Sequence, residues 1–124
     1  MSIGLFKRPY TVRKYGKQII ERGYASSPYT DITVKLDVQP LSPDELIALP
    51  EGERTVKRIK SFGSEKLASA DDYDEIPGDC LYYNGFWYEC KSSVQWEHTF
   101  LRHYRSEFVV LPNDKQKEMG EIEP

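Results

Sequence analysis

The clearest pattern along the chain is a strict alternation of apolar and polar residues from Asp31 to Gln39. Successive side chains on a strand point to opposite faces, so this alternation predicts a strand with one buried face. Pro40 follows it and ends the predicted strand, because proline cannot donate to a sheet ladder. The apolar positions, which we expect to face the core, are Ile32, Val34, Leu36 and Val38.

A second pattern spans Asp79 to Cys90, where two aromatic-rich runs flank an Asn84-Gly85 pair. Both positions of a type I′ turn need a positive φ, which asparagine and glycine tolerate best, so the pair predicts a tight β-hairpin. This turn sets the register and places Tyr83 opposite Phe86, and Asp79 opposite Cys90. The predicted core face carries Leu81, Tyr83, Phe86, Tyr88 and Cys90, and the other face carries Cys80, Tyr82, Trp87 and Glu89.

The same register bears on the two cysteines. Cys80 and Cys90 fall on opposite faces of the hairpin and are not directly opposed, so a disulfide between them would require a slipped register that buries Glu89. We therefore expect two free thiols, as in a reducing compartment, that act as small buried hydrophobic groups.

The remaining strands are weaker predictions. Tyr10 to Tyr15 alternates and predicts a first strand, with a turn at Gly16-Lys17 and a returning strand from Gln18 to Glu21. Thr55 to Phe62 predicts a strongly basic strand that is bulged or at a sheet edge. His103 to Leu111 has the β-branched and aromatic content of a strand that closes a small barrel.

One short helix is predicted after Pro40. Ser42 can cap it, Pro43 suits its first position, and Glu45 stands where a capping box places its acid. The turn residues from Pro50 to Gly52 end it within about two turns.

Together these elements predict a mainly β fold, a small β-barrel or sandwich of about five or six antiparallel strands with one short helix and long loops. The 124 residues suit a single domain. We divide it into an N-terminal arm (1–9), a β-barrel core (10–111) and a charged, extended tail (112–124) with one helical turn near Asp114 to Met119.

Charge is unevenly spread over a chain whose net charge is −3. The stretch from Met1 to Tyr24 is basic, whereas Glu65 to Asp79 is acidic, so opposite ends of neighbouring copies can attract each other.

No stretch resembles a signal peptide or a membrane span, which favours a cytoplasmic location and no membrane partner. The N-terminal arm holds three apolar residues that are candidates for an interface: Ile3, Leu5 and Phe6.

Signatures of chemistry are weak. His98 and His103 do not share a helical face and the cysteines diverge, so we predict no metal site and no cofactor. The carboxylates of Asp71, Asp72, Asp74 and Glu75 have no histidine or lysine partner in sequence, so a solvated loop is favoured over a catalytic one and we predict no enzyme. Asp79 suits a turn acceptor for backbone amides.

A different class, an oligonucleotide-binding barrel, is the main alternative. Lys57, Arg58 and Lys60 alternate with apolar residues, and the aromatic rings of Tyr82 and Trp87 occupy the predicted outer face of the hairpin. The negative net charge disfavours tight phosphate binding.

A series of short motifs follows one another along the chain: Val38-Gln39-Pro40-Leu41-Ser42, Glu45-Leu46, Leu49-Pro50-Glu51-Gly52-Glu53-Arg54, Leu67, Gly78-Asp79, Tyr83-Asn84-Gly85-Phe86-Trp87-Tyr88-Glu89, Trp96 and His103-Tyr104. This order of features, within Tyr10 to Leu111, resembles the small head-closure proteins of tailed bacteriophages, also called stopper or head-to-tail joining proteins. In the hairpins of such proteins a valine is usual where this chain has Cys90.

This resemblance implies a non-catalytic ring subunit in the virion neck, assembled in the host cytoplasm. It would contact copies of itself, the portal and adaptor rings, and tail or tail-terminator proteins, and it would close the DNA channel after packaging without reading DNA sequence. An adaptor or tail-terminator position in the same neck is a close alternative. The implied channel elements are the segment from Ser42 to Arg54, with Asp44, Glu45, Glu51 and Glu53, and secondly the loop with Asp71, Asp72, Asp74 and Glu75.

Overall fold

The computed structural model describes residues 7–16, 19–21, 23–26, 28–53, 56–69, 78–98 and 101–120. The strands are β1 (Arg8–Tyr15), β2 (Ile19–Glu21), β3 (Tyr24–Ser26), β4 (Tyr29–Pro40), β5 (Arg58–Gly63), β6 (Cys80–Tyr83), β7 (Phe86–His98) and β8 (Leu101–Val110). The helices are α1 (Pro43–Ile47) and α2 (Asn113–Met119), with one 3₁₀ turn at Glu51–Glu53.

Six of the strands form a closed antiparallel barrel in the order β1-β4-β5-β8-β7-β6. Closure gives the backbone groups of neighbouring strands partners around the wall and removes the exposed edges that an open sheet would have. The prediction of a mainly β fold is therefore confirmed, and of its two architectures the barrel is the one that forms.

The predicted hairpin is present with its predicted register. Asn84 and Gly85 have φ values of 52° and 88°, as a type I′ turn requires. Tyr83 lies opposite Phe86, and the amide of Cys90 donates to the carbonyl of Asp79 at 2.8 Å. Both cysteines are free and buried, as the register predicted.

The barrel core contains the apolar face predicted for β4 and most of the face predicted for the hairpin. Leu67, from the segment after β5, is buried with this cluster. The completely or almost completely buried members are Val12, Val34, Leu36, Ile59, Leu67, Leu81, Tyr88, Cys90 and Phe108.

Two predictions of side-chain exposure in the hairpin are wrong, one on the predicted core face and one on the outer face. Phe86 was expected inside, but it is 42% exposed, because it follows the turn directly at the rim of the barrel. Trp87 was expected on an outer, accessible face, but it is 1% exposed. It does lie on the outer side of the sheet, where a second layer of structure covers it.

The prediction of a returning strand after β1 is also wrong. Ile19–Glu21 does not pair with β1; it pairs with Tyr24–Ser26 as a separate two-stranded ribbon around a turn that includes Gly23, whose φ is 83°. β1 begins at Arg8, inside the segment predicted to be an arm, because Arg8 already lies opposite Leu36 of β4.

β5 is neither an edge strand nor the site of a bulge. It pairs with β4 on one side and β8 on the other, so Lys60 does not protect a free edge. The register shift lies in β7, between Cys90 and Ser92. β8 was predicted correctly as the strand that closes the barrel, since it joins β5 to β7.

The C-terminal tail differs most from its prediction. Instead of extending into solvent with a single turn, Asn113–Met119 forms α2, which returns to the barrel wall. The side-chain oxygen of Gln116 accepts a hydrogen bond from the backbone N–H of Trp87, and the carbonyl of Gly120 accepts one from its indole N–H. The tail is therefore part of the packed structure up to Gly120.

Candidate functional site

The antiparallel order of the barrel places the two predicted channel elements at opposite ends. The segment that contains α1 joins Pro40 of β4 to Arg58 of β5, at the end that also carries the Asn84-Gly85 turn. The acidic segment joins Gly63 of β5 to Cys80 of β6, at the other end, where β1 finishes. The barrel therefore separates the points at which the two segments are attached.

The segment with α1 is attached to the barrel through Glu45. Ser42 caps the helix, and the reciprocal bond from Glu45 completes the predicted capping box. The same carboxylate accepts a hydrogen bond from Lys60 Nζ at 2.6 Å and another from Arg105. Hydrogen bonding to Lys60, opposed by desolvation and aided by Ser42 and Arg105, lowers the pKa of Glu45 to about 2.

Asp44 and Glu51 of this segment do not join that cluster. Asp44 and Glu51 are exposed, and Glu53 lies in the 3₁₀ turn. Of the channel candidates in the described part of this segment, Asp44 and Glu51 thus present carboxylates to solvent, whereas Glu45 is used to hold the helix in place.

Replacing Glu45 with glutamine tests this attachment. The variant keeps the shape of the side chain but leaves Lys60 and Arg105 close together without the carboxylate, so we expect it to be less stable by about 1–2 kcal/mol at pH 7. The pKa of Glu45 is lower in the folded protein than its ordinary value of 4.5. Its contribution is thus fully present above about pH 4.5 and is lost as the pH falls towards 2.

Urea unfolding of both proteins at pH 7 and pH 3 measures this difference. The gap in unfolding free energy should shrink at the lower pH. Asp44→Asn, a change at an exposed carboxylate of the same helix, is the matched control and should change stability by less than about 0.5 kcal/mol. An equal gap at both pH values would contradict the assigned role of Glu45.

The outer face of the hairpin is covered by the C-terminal helix. Gln116 inserts its side-chain amide at the end of the β7–β8 ladder: Oε1 accepts from Trp87 N at 2.8 Å, and Nε2 donates to the carbonyls of Trp87 and Leu111. The amide of Leu111 still donates to the carbonyl of Trp87 at 3.0 Å, and Gln116 bridges the other half of this rung, between Trp87 N and the Leu111 carbonyl.

Arg13 completes this cover. Its guanidinium pairs with Asp31 at 2.8 Å, donates to the carbonyl of Met119, and lies over the rings of Tyr29 and Trp87. The hydrogen bond to Asp31 raises the pKa of Arg13 above the ordinary value of an arginine. A cleft of about 690 Å³ remains between α2 and the barrel wall. Arg13 lines this cleft, and Asp31 already neutralises the charge of Arg13.

These contacts cover part of the surface that the oligonucleotide-binding alternative requires. Trp87 lies beneath α2 and presents no ring face on which a base can stack. Lys60 is paired with Glu45, and Lys57 lies over the ring of Phe86 with Nζ 5.0 Å from its centroid.

Asp79 fixes the base of the acidic segment. Its amide donates to the carbonyl of Ala68 at 2.8 Å, and its Oδ2 accepts from Ala68 N at 2.9 Å and from Lys14 Nζ at 2.8 Å. The predicted role as a backbone acceptor is confirmed, and Lys14 is a partner that sequence spacing did not indicate. The predicted channel residues Asp71, Asp72, Asp74 and Glu75 lie outside the described residues, as do the interface candidates Ile3, Leu5 and Phe6.

The remaining hairpin residues have structural positions. Tyr83 and Tyr88 form an edge-to-face contact with ring centroids 6.2 Å apart inside the barrel, and Tyr10 packs on Tyr83. Burial raises the pKa of the Cys80 and Cys90 thiols to about 12, which disfavours the reactive thiolate. No group of three or more metal-ligating side chains occurs within the described residues.

Two ribbons that project beyond the barrel wall were not predicted. The β1–β4 ladder continues through Gly16, whose amide donates to Pro28 at 2.8 Å, towards the β2–β3 ribbon. The β7–β8 ladder likewise continues past the last rung with β5, at Tyr104, to the rung between His98 and Leu101. The residue pair Arg22-Gly23 between two apolar dipeptides was the available signal for the first ribbon.

The fold is a closed six-stranded antiparallel barrel, distinguished by the segments attached at its two ends and by its two projecting ribbons. A scan against protein-family models gives no match to this chain, and a search of curated proteins gives none either. None of the helices in the described ranges is long and apolar enough to cross a membrane.

Proposed function

We propose that this protein is a ring-forming structural subunit of the neck of a tailed bacteriophage, in the position of a head-closure protein. The observation that carries the proposal is the pair of ribbons whose outer edges have no strand partner among the described residues, on a barrel that is otherwise closed. An exposed strand edge is a template for pairing with another chain, and its presence on a small barrel indicates a protein that works by contact with neighbours. The series of motifs from Val38 to Tyr104, which resembles head-closure proteins, supports the head-closure position in particular.

In this function the subunits surround the DNA channel between the portal and adaptor rings and the tail or tail-terminator proteins. The exposed carboxylates of Asp44 and Glu51 suit a surface that DNA passes without binding, because acidic groups repel phosphates. The attachment of α1 through Glu45 would hold that surface at one end of each barrel. The acidic segment anchored by Asp79 would serve the opposite end.

The test is the assembly state of the full chain. Native mass spectrometry and negative-stain electron microscopy should reveal closed rings, either of the protein alone or after addition of a portal–adaptor complex. A strictly monomeric particle under all conditions, with no binding to that complex, would overturn the proposal. Binding to the adaptor side or to the tail side alone would separate the head-closure position from the adaptor and tail-terminator positions.

Free DNA provides a second measurement. The proposed function predicts little binding of a single-stranded oligonucleotide at physiological salt, and no change on replacement of Lys57 with alanine. Tight, salt-dependent binding that is lost in Lys57→Ala would favour an oligonucleotide-binding barrel instead.

A further inference from the structure

The two ribbons lie on opposite sides of the barrel and at the same end. In the cyclic order β1-β4-β5-β8-β7-β6, the pair β1–β4 is separated from the pair β8–β7 by β5 on one side and β6 on the other. β1 finishes and β4 begins at the end where β7 finishes and β8 begins, because neighbouring strands are antiparallel. Each subunit therefore carries one projecting ribbon on each flank.

The free edges can be assigned from the turn geometry. In a hairpin with a two-residue loop, the residues that flank the loop exchange hydrogen bonds, and the next pair points its backbone groups outwards. In the β2–β3 ribbon this next pair is Ile20 and Ala25. In the β7–β8 ribbon, where His98 and Leu101 form the last rung, the same alternation places outward backbone groups of β7 at Glu97 and Gln95.

Both edges are unpaired within the described part of the chain. β2 and β3 pair only with each other there, and β6 pairs with β7 only as far as Glu89. A two-stranded ribbon is marginally stable alone, so each ribbon gains from a third strand. Val94 of β7 is 62% exposed, which leaves an apolar side chain beside this edge.

We propose that the β2–β3 ribbon of one copy adds as a strand pair to the free edge of β7 in the next copy. This inference rests on the proposed ring function and names the contact that builds the ring. A patch on one flank that pairs with a different patch on the opposite flank is a heterologous contact, and such contacts build a ring when the rotation from one copy to the next closes. The partner is thus a second copy of this chain.

The size of the contact also favours a ring over a dimer. β2 and β3 have only three residues each, so one ribbon edge buries far less than the roughly 800 Å² per partner of a stable pair. A single contact is weak, whereas in a closed ring every subunit is held by two contacts. Assembly should therefore pass cooperatively from monomer to closed ring.

Proline substitutions on the free edges test the contact. Ile20→Pro, Ala25→Pro and Gln95→Pro each remove an outward N–H and leave the hydrogen bonds within the ribbon intact. We expect Gln95→Pro and at least one ribbon variant to weaken each subunit contact by at least about tenfold. Native mass spectrometry over a concentration series should then show monomers where the unmodified chain forms rings.

Threonine at the same positions is the matched control, because it changes the side chain but retains the N–H. Ile20→Thr, Ala25→Thr and Gln95→Thr should still form rings. Thermal unfolding of each proline variant checks that the barrel is intact. Glu97→Pro, on the same edge, replaces Gln95→Pro if that variant does not fold.

The outcomes distinguish this contact from the proposed function. If the unmodified chain forms rings and all proline variants do so as well, the contact is wrong and the ring function remains. If the ribbon variants dissociate but neither Gln95→Pro nor Glu97→Pro does, the ribbon binds another surface, which also overturns the inference. If rings require the portal–adaptor complex, the same variants are compared for incorporation into it.

Discussion

Replacing Trp87 with alanine should lower the free energy of unfolding by about 3–5 kcal/mol, the range for loss of a large buried aromatic side chain. The side chain is 1% exposed, and Nε1 donates to the carbonyl of Gly120 at 2.6 Å. Its removal leaves a cavity between the barrel and α2 and takes away a ring on which Arg13 stacks. The melting temperature should fall on the order of 10–20 °C.

Two further variants separate the loss of buried apolar volume at Trp87 from the loss of its hydrogen bond and from the removal of a neighbouring exposed ring. Trp87→Phe retains most of the apolar volume but loses the bond to Gly120, so we expect a cost of about 1–2 kcal/mol. Phe86→Ala alters the neighbouring, 42% exposed ring and should cost less than about 1 kcal/mol. A Trp87→Ala variant as stable as Phe86→Ala would show that α2 does not cover the hairpin in solution.

Removal of the Asp79 carboxylate should be the second most damaging change. Asp79 is 3% exposed, and Asp79→Ala leaves Lys14 Nζ and the Ala68 amide without this acceptor, at a cost of about 3 kcal/mol. Because Asp79 and Ala68 hold together the two ends of the acidic segment, protease cleavage between residues 69 and 78 should also become faster. Thermal unfolding and timed proteolysis measure the two effects.

Asp79→Asn is the informative comparison. The amide oxygen can still accept from Ala68 N, whereas the charge that pairs with Lys14 is lost, so we expect an intermediate cost of about 1–2 kcal/mol. Its cleavage rate should stay close to that of the unmodified chain. If both variants were cleaved equally fast, the ion pair with Lys14, and not the bond to Ala68, would hold the segment.

Both large effects arise from contacts between residues far apart in sequence, and this limits what patterns can predict. The hairpin at Asn84-Gly85, the β4 alternation and the capping box of α1 were predicted correctly, because each depends on a few consecutive residues. The partners of Asp79 and Glu45 were not predicted, because Lys14, Lys60 and Arg105 meet them only after the barrel closes.

The burial of Trp87 is a second example of what local sequence patterns do not predict. The register correctly placed Trp87 on the face opposite to the barrel core, and an outer face was then taken to be accessible. A charged C-terminal segment gave no sign that Gln116 would take a place in the last rung of the β7–β8 ladder. Amphipathic periodicity describes one layer of packing, whereas this barrel has a second layer on part of its wall.

Several local elements of this protein can be derived from its residues alone: the strand β4, the tight turn at Asn84-Gly85, the capped helix α1, and two cysteines that stay unpaired. These follow from side-chain alternation, turn dihedrals and capping, all of which act over a few residues. Tertiary contacts, in contrast, close the sheet, bury Trp87 beneath the tail and extend two ribbons from opposite flanks. Those features depend on which strands meet across long loops, and strand pairing is a property of the closed barrel as a whole.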